Sequence, residues 1–178
     1  MSTFELVQGS CTEYSADAVV NAANRYLGEG GGICGRIFGE AGSRELAAEC
    51  AKHKTPLKDG EAVITSACNM KNFKAIIHAV GPDLSRTPGA FDKLADAYYN
   101  SMVVLKENGL HSISFPLISA GIFAGRTDKP AGQSTRYCLT AYKKFVETFP
   151  EYDIDVKLCA YENWEYAQAK AVCDEFGM

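Results

Sequence analysis

The sequence predicts one α/β domain, an α/β/α sandwich with a mainly parallel sheet. Short apolar, β-branched segments alternate with longer segments in which apolar residues repeat at helical spacing. The strand segments are also almost continuously apolar, as expected for a sheet that helices cover on both faces. The chain has 178 residues, contains no internal repeat or low-complexity linker, and is expected to form a single domain over residues 1–178.

Six segments are predicted to be strands. The first, residues 4–8, alternates apolar and polar side chains and is therefore expected to be half-buried. The other five are rich in apolar residues and are expected to be buried. They are residues 17–21, 62–65, 75–80, 112–116 and 156–160.

Helices are predicted between these strands. Apolar residues recur at helical spacing over residues 91–105, 131–145 and 164–172. Thr87 and Pro88 suit the start of the first of these helices, and Gly109 suits its end. Another helix is expected to start at Ile33, directly after a glycine run, and Ser43 is a candidate cap for the one that follows.

Composition and charge narrow the class of protein. The net charge of −4 does not favour sequence-independent nucleic-acid binding, which normally needs a basic face. No apolar run approaches the roughly 20 residues that span a bilayer, and Met1–Glu5 lacks the features of a secretory signal. We therefore expect a cytoplasmic protein without a membrane partner. The sequence leaves the oligomeric state open, with a monomer as the expectation. The seven scattered cysteines are expected to be reduced core thiols, not a disulfide framework or a zinc site.

The loops that follow strands are the candidate binding sites, because ligands of parallel sheets bind beyond the carboxyl ends of the strands. The first such loop, residues 21–35, contains Gly30, Gly31 and Gly32 in succession. These glycines let a ligand approach the backbone closely, and their N–H groups at a helix start suit anionic or hydroxyl-rich groups. A flexible turn is the alternative interpretation of a glycine triplet taken alone.

The second loop, residues 116–125, also follows a strand. Ser119 and Gly121 are small enough for backbone N–H groups to wrap a phosphate, while Ile122 and Phe123 are large and apolar. Phe123 is suited to stacking on a sugar, with packing in the core as the alternative. The two loops together predict a site for a nucleotide diphosphate that is neither a Walker A loop nor a Rossmann fingerprint.

Four segments resemble the macrodomain family in order and spacing: residues 19–24, 30–32, 77–82 and 116–123. The resemblance extends from the first strand to the last helix, and the second loop with Cys34 looks most like macrodomains of RNA viruses and their bacterial relatives. It implies a mixed sheet of about six or seven strands in a three-layer sandwich. It also implies ADP-ribose, free or on mono-ADP-ribosylated proteins, as the ligand. We expect no cofactor and no metal ion in addition.

The resemblance implies roles for individual residues. Asn24 would hydrogen-bond the distal ribose, the one away from adenine, and Phe123 would lie against it, which makes both candidate catalytic residues. The backbone of Gly30–Gly32 would line the distal ribose and the phosphate beside it, and Ser119–Phe123 would wrap the diphosphate. Tyr161 would stack on adenine, although packing on the last helix is an alternative. The remaining predicted ligand-binding residues are Ser10, Cys11, Ile33, Cys34, Ala120, Gly121 and Ile122.

Two positions depart from the family pattern. Family members carry Gly-Asp-Ile-Thr after the first strand, and that Asp binds the adenine amino group, whereas this chain has Ser10 in its place. A weaker preference for adenine is expected, because charge-assisted hydrogen bonds are about twice as strong as neutral ones. Asp17 is predicted to lie in the next strand, too far along to substitute. Cys34 stands where the best-known hydrolase branch has an Asp, and a thiol replaces a carboxylate base poorly.

Three classes of function remain open. The chain is a hydrolase of protein-linked ADP-ribose or of O-acetyl-ADP-ribose, a reader that binds ADP-ribose without turnover, or a protein-binding regulator of the ribonuclease-inhibitor type. The hydrolase is favoured because a reader usually comes fused to another domain. No Ser-His-Asp or His-Cys constellation is visible, and His53, His78 and His111 are expected to be structural.

Overall fold

The sheet of the computed structural model, which describes residues 1–178, has six strands. They are β1 (Thr3–Gln8), β2 (Ala18–Ala23), β3 (Ala62–Ser66), β4 (Ala75–Val80), β5 (Ser112–Pro116) and β6 (Asp155–Ala160). Their spatial order is β1-β6-β5-β2-β4-β3. Every neighbouring pair is parallel except the antiparallel β3–β4 pair. The predicted mixed, mainly parallel sheet is confirmed.

Five helices cover the sheet on both faces. They are α1 (Gly32–Ala41), α2 (Ser43–Cys50), α3 (Phe91–Glu107), α4 (Pro130–Thr148) and α5 (Asn163–Glu175). One core cluster includes Met102 of α3 and Phe145 of α4, and a second includes Phe38 of α1 and Leu46 of α2. The helix α5 packs on α4 through Val172. The three-layer sandwich is confirmed, and none of its helices is both long and apolar enough to span a membrane.

The strand and helix bounds agree closely with the prediction, with three local corrections. Ser43 is the first residue of α2 and not its cap, because Gly42 takes the N-cap position with a φ of +96° that lets the chain turn directly out of α1. Asp17 lies just before β2, where its carboxylate accepts the backbone N–H of His111 at 2.8 Å. The helix α3 begins at Phe91 and not at Thr87.

A buried polar network joins β2 to β4. Asn21 and His78 are in register on the two strands, and Asn21 Nδ2 lies 3.1 Å from His78 Nδ1. The other ring nitrogen of His78, Nε2, lies 3.0 Å from the hydroxyl of Thr65. Burial lowers the pKa of His78 to about 4, so the ring is neutral at pH 7. His78 is therefore a satisfied core histidine, which agrees with the structural role predicted for it.

The topology brings four loops to one edge of the sheet. The strands β1, β6, β5 and β2 are consecutive neighbours and all parallel, so their carboxyl ends lie side by side. The chain leaves these ends at Gly9, Tyr161, Leu117 and Asn24. Ligand sites in such sheets form at this edge, and these loops therefore position the candidate site.

Candidate functional site

A cleft of about 570 Å³ lies along this edge of the sheet. Its size is within the range of about 300–1,000 Å³ that is typical of small-molecule sites. Residues that follow all four parallel strands line it, together with the first turns of α1 and α5. The cleft is thus elongated across the strands and suited to an extended ligand.

Nearly every residue predicted to bind the ligand lines this cleft. The residues brought together are Ser10, Cys11, Asn24, Gly30, Gly31, Gly32, Ile33, Cys34, Ser119, Gly121, Ile122, Phe123 and Tyr161. Ala120 is the exception, since it is 5% exposed and does not line the cleft. Four further lining residues, Ala22, Ala23, Pro116 and Leu117, lie in the two loops named from the sequence. The sequence reasoning missed the remaining four, which are Gly9, Arg36, Cys159 and Glu165.

The first wall of the cleft is the glycine run at the start of α1. The backbone N–H groups of Gly30, Gly31 and Gly32 donate to no acceptor within the protein, and those of the first helical turn have no helical partner. A Cβ atom added at Gly31 or Gly32 would meet nothing within 4 Å. This wall therefore presents free donors and an unobstructed backbone to the cleft.

The second wall is the loop Ser119–Phe123. None of its backbone N–H groups donates to an acceptor within the protein. Ser119 has a left-handed backbone with φ of +58°, and its hydroxyl donates to the carbonyl of Pro82 at 2.8 Å. A Cβ added at Gly121 would also meet nothing within 4 Å. The hydroxyl of Ser119 thus braces the loop, and the backbone N–H groups are the donors that remain free.

The side chain of Asn24 closes the loop between β2 and α1. Its Oδ1 accepts the backbone N–H groups of Tyr26 and Gly28 at 3.0 and 3.1 Å, and its Nδ2 donates to the carbonyl of Gly28 at 3.0 Å. An amide nitrogen carries two N–H bonds, so one donor of Asn24 remains free. Asn24 both shapes the first wall and offers one hydrogen-bond donor beside it.

Three thiols lie along the cleft floor and walls. Cys34 donates to the carbonyl of Gly28 at 3.6 Å. Burial raises the pKa of Cys159 to about 11 and holds the pKa of Cys11 well above its usual value. Cys11 and Cys159 are therefore protonated at pH 7, and neither is suited to act as a nucleophile.

The end of the cleft at β1 and β6 differs chemically from the glycine walls. Tyr161 is a large hydrophobic residue that is 57% exposed. Glu165, in the first turn of α5, is the only Asp or Glu that lines the cleft. The guanidinium of Arg36 is paired with Glu40 at 3.1 Å and Glu13 at 3.9 Å. This end is built from side chains, whereas the glycine walls are built from backbone.

Comparison with known proteins identifies the family. Residues 20–132, which include both walls of the cleft, match the Macro domain family model. The chain belongs to the macrodomain family. It is 43% identical over 148 residues to an uncharacterized protein of Fusobacterium nucleatum, covering 82% of this chain and 81% of that protein. It is 42% identical over 124 residues to a Cronobacter turicensis protein named O-acetyl-ADP-ribose deacetylase, covering 66% of this chain and 68% of that protein.

The fold of this macrodomain matches a solved relative over almost its whole length. The Oceanobacillus iheyensis macrodomain with ADP superposes with a TM-score of 0.87 at 30% identity, covering 98% of this chain and 92% of that chain. A mutant of the same protein was solved with ADP-ribose. The family and fold predicted from the sequence are therefore confirmed.

The two departures from the family pattern take definite positions in this macrodomain. Ser10 caps the short turn Cys11–Glu13, its Oγ accepting the N–H of Thr12 at 3.4 Å. Cys34 follows the first wall and is 5% exposed. No group of three or more His, Cys, Asp or Glu side chains is arranged to hold a metal ion. The glycine walls of this macrodomain thus carry neither a carboxylate nor a metal-ligand cluster.

Proposed function

We propose that this macrodomain binds ADP-ribose with the diphosphate between its two backbone walls. The two rows of free N–H groups that face one cleft carry this proposal. A diphosphate offers several anionic oxygens, and backbone N–H groups with a helix start behind them stabilise such anions. The open backbone at Gly31 and Gly121 leaves room for these oxygens to approach. Solved relatives with ADP and ADP-ribose support the same ligand class.

The proposed orientation follows from the chemistry of the two cleft ends. The distal ribose would lie at the first wall, beside Asn24 and Phe123, because hydroxyl groups there meet the free amide donor and a partly buried ring. The adenine would lie at Tyr161, whose exposed ring offers a stacking surface. Each part of ADP-ribose would then contact a group suited to it.

Binding is tested by calorimetry and thermal unfolding with ADP-ribose. We expect a 1:1 complex, and ligand at about 100 times its Kd should raise the free energy of unfolding by about 2.7 kcal/mol. Ribose 5-phosphate, which lacks the diphosphate and the adenine, is expected to bind far more weakly. An absence of both heat and melting-temperature shift with ADP-ribose would contradict the proposal.

We further propose that the macrodomain slowly hydrolyses ADP-ribosyl esters on Asp or Glu side chains, or O-acetyl-ADP-ribose. For the protein ester, a water oxygen bonds to the anomeric carbon while the bond from that carbon to the ester oxygen breaks. The Asp or Glu leaves as a carboxylate, and the water proton passes to an oxygen of the diphosphate. Holding the distal ribose and the water in place can contribute several kcal/mol of barrier reduction without a strong base.

The position of the acidic residues supports a mechanism without an enzymic carboxylate. Glu165 follows β6, whose carboxyl end lies about 10 Å from that of β2, the strand that leads into the first wall. Glu29 is exposed and does not line the cleft. The diphosphate of the substrate is then the nearest anionic group to the distal ribose.

The lack of an Asp or Glu at the first wall also favours a second candidate, a reader that binds ADP-ribose without turnover. Mass spectrometry of a protein mono-ADP-ribosylated on Asp or Glu separates the two. Time-dependent loss of the ADP-ribosyl mass supports the hydrolase, and an unchanged mass with tight ADP-ribose binding supports the reader. The proposed reaction needs no metal ion or cofactor, so EDTA is expected to leave the rate unchanged.

A further inference from the structure

We infer that Glu165 determines the base specificity of the cleft by accepting a hydrogen bond from the exocyclic amine of adenine. The inference rests on the proposed ADP-ribose function and adds a residue that the sequence motifs do not include. Glu165 is the only acidic residue that lines the cleft, and it lies at the end that holds the exposed Tyr161 ring. A carboxylate and a stacking ring together form a recognition site for a base that carries an amine.

The carboxylate of Glu165 is held in place and has capacity to spare. Its Oε1 accepts the backbone N–H of Glu162 at 2.8 Å, as half of a reciprocal capping box at the start of α5. Its other oxygen, Oε2, forms no hydrogen bond and no ion pair within the protein. A carboxylate accepts about four hydrogen bonds, so Glu165 is free to accept the amine of a ligand.

Electrostatics place the base, and not the diphosphate, next to Glu165. A carboxylate repels the anionic diphosphate, while the N–H groups of the glycine walls attract it. The amine of adenine is a hydrogen-bond donor that suits a carboxylate, because a bond to a charged acceptor is stronger than one to a neutral acceptor. The charge distribution of the cleft therefore orients ADP-ribose with its base toward α5.

The neighbouring polar side chains do not compete for this role. Ser10 is 6% exposed, and its Oγ accepts the N–H of Thr12 at 3.4 Å and lies 3.1 Å from the hydroxyl of Thr12. Arg36 is paired with Glu13 and Glu40. The one carboxylate in the segment after β1, that of Glu13, does not line the cleft, so Glu165 supplies from α5 the charged acceptor that this segment does not present there.

The test compares Glu165→Gln with Glu162→Gln in the full chain. Glutamine preserves the capping hydrogen bond at position 165, so α5 is expected to remain intact. Glu162 is the other half of the same capping box but does not line the cleft, which makes it a matched control. The Kd is measured for ADP-ribose and for its hypoxanthine analogue, which has a carbonyl oxygen in place of the amine.

We expect the wild type to prefer ADP-ribose, and Glu165→Gln to weaken ADP-ribose binding by about three- to tenfold through loss of the charged acceptor. The hypoxanthine analogue should bind Glu165→Gln at least as well as the wild type, because the glutamine amide can donate to its carbonyl. Glu162→Gln should change neither Kd.

An unchanged ratio of the two Kd values in Glu165→Gln would overturn the inference, and so would an equal change in Glu162→Gln. Both results leave wild-type binding of ADP-ribose in place and therefore leave the proposed function standing. A wild type that binds neither ligand would instead overturn the proposed function itself.

Discussion

The two loops that wall the cleft offer similar backbone donors but are anchored in different ways. The loop after β2 is closed mainly by Asn24, whose three bonds to Tyr26 and Gly28 are exposed and lie within the loop. The loop after β5 is tied to other segments by buried groups: the N–H of Ile118 donates to the hydroxyl of Tyr98, and Ser134 donates to the carbonyl of Ile118. The first loop is locally braced, whereas the second is part of the core.

The glycines of the two loops also differ, because one is open to the cleft and the other is packed against the rest of the protein. Gly31 in the first wall has extended backbone, with φ of −87° and ψ of −175°, and open space where a side chain would be. Gly125, at the end of the second loop, has φ of +58°, and its Cβ would lie 2.7 Å from the backbone nitrogen of Ser85. Gly31 is therefore free to serve the ligand, whereas Gly125 is required by the fold.

The largest effect is expected from Gly31→Phe. The new ring would project into the space proposed for the diphosphate, so affinity for ADP-ribose should fall by about 100-fold or more, which corresponds to about 2.7 kcal/mol. The free energy of unfolding should fall by only about 1 kcal/mol, because the backbone dihedral angles are open to any residue and the main cost is an apolar residue at the N-cap of α1. Calorimetry and thermal unfolding measure the two quantities.

Gly39→Phe is the matched control for this substitution. Gly39 lies on α1, the helix that Gly31 precedes, and it is exposed and has nothing within 4 Å of an added Cβ, but it does not line the cleft. The Gly39→Phe variant should therefore retain ADP-ribose binding. Normal binding by Gly31→Phe would show that the cleft has been placed wrongly.

A smaller effect, on stability, is expected from Tyr98→Phe. The hydroxyl of Tyr98 accepts the N–H of Ile118 at 2.9 Å and lies 2.6 Å from the Oγ of Ser134. Its removal leaves a buried N–H unsatisfied and should cost about 1–3 kcal/mol of unfolding free energy, measured by denaturant titration. Tyr99→Phe, on the same helix but without a hydrogen bond from its hydroxyl, should cost less than about 0.5 kcal/mol. Equal losses in the two variants would refute the claim that the second loop is anchored through Tyr98.

Features that depend on local sequence could be predicted, whereas those that depend on packing between distant segments could not. The spacing of apolar residues predicted the strands and helices, and the positions of the glycines predicted the two loops, because these are local features of the sequence. Arg36 and Glu165 were missed because both lie near the starts of helices, and apolar periodicity does not say which polar helical residue borders a cleft. The bracing role of Ser119 was also missed, since it depends on Pro82, which is distant in the chain.

The most diagnostic difference is expected between Asn24→Ala and Cys34→Ala. Both side chains donate to the carbonyl of Gly28, Asn24 at 3.0 Å and Cys34 at 3.6 Å, so the variants remove neighbouring braces of the same loop. Asn24→Ala also removes the two bonds that Oδ1 accepts and the free donor proposed for the distal ribose. Turnover of an ADP-ribosyl ester should therefore fall by about tenfold or more, because positioning of the ribose is lost.

Cys34→Ala removes a single weak S–H donor and should change turnover by less than about twofold. Asn24→Asp distinguishes the two roles of Asn24, because the carboxylate can still accept both loop N–H groups but has no donor for the ribose or for Gly28. A rate for Asn24→Asp close to that of Asn24→Ala points to the lost donor, and a rate close to wild type points to the loop geometry.

If Cys34→Ala is inactive while Asn24→Ala keeps its rate, the positioning mechanism is wrong and a thiolate at Cys34 must take part. If the wild type itself has no turnover, the Kd for ADP-ribose replaces the rate and the same order of effects applies to the reader.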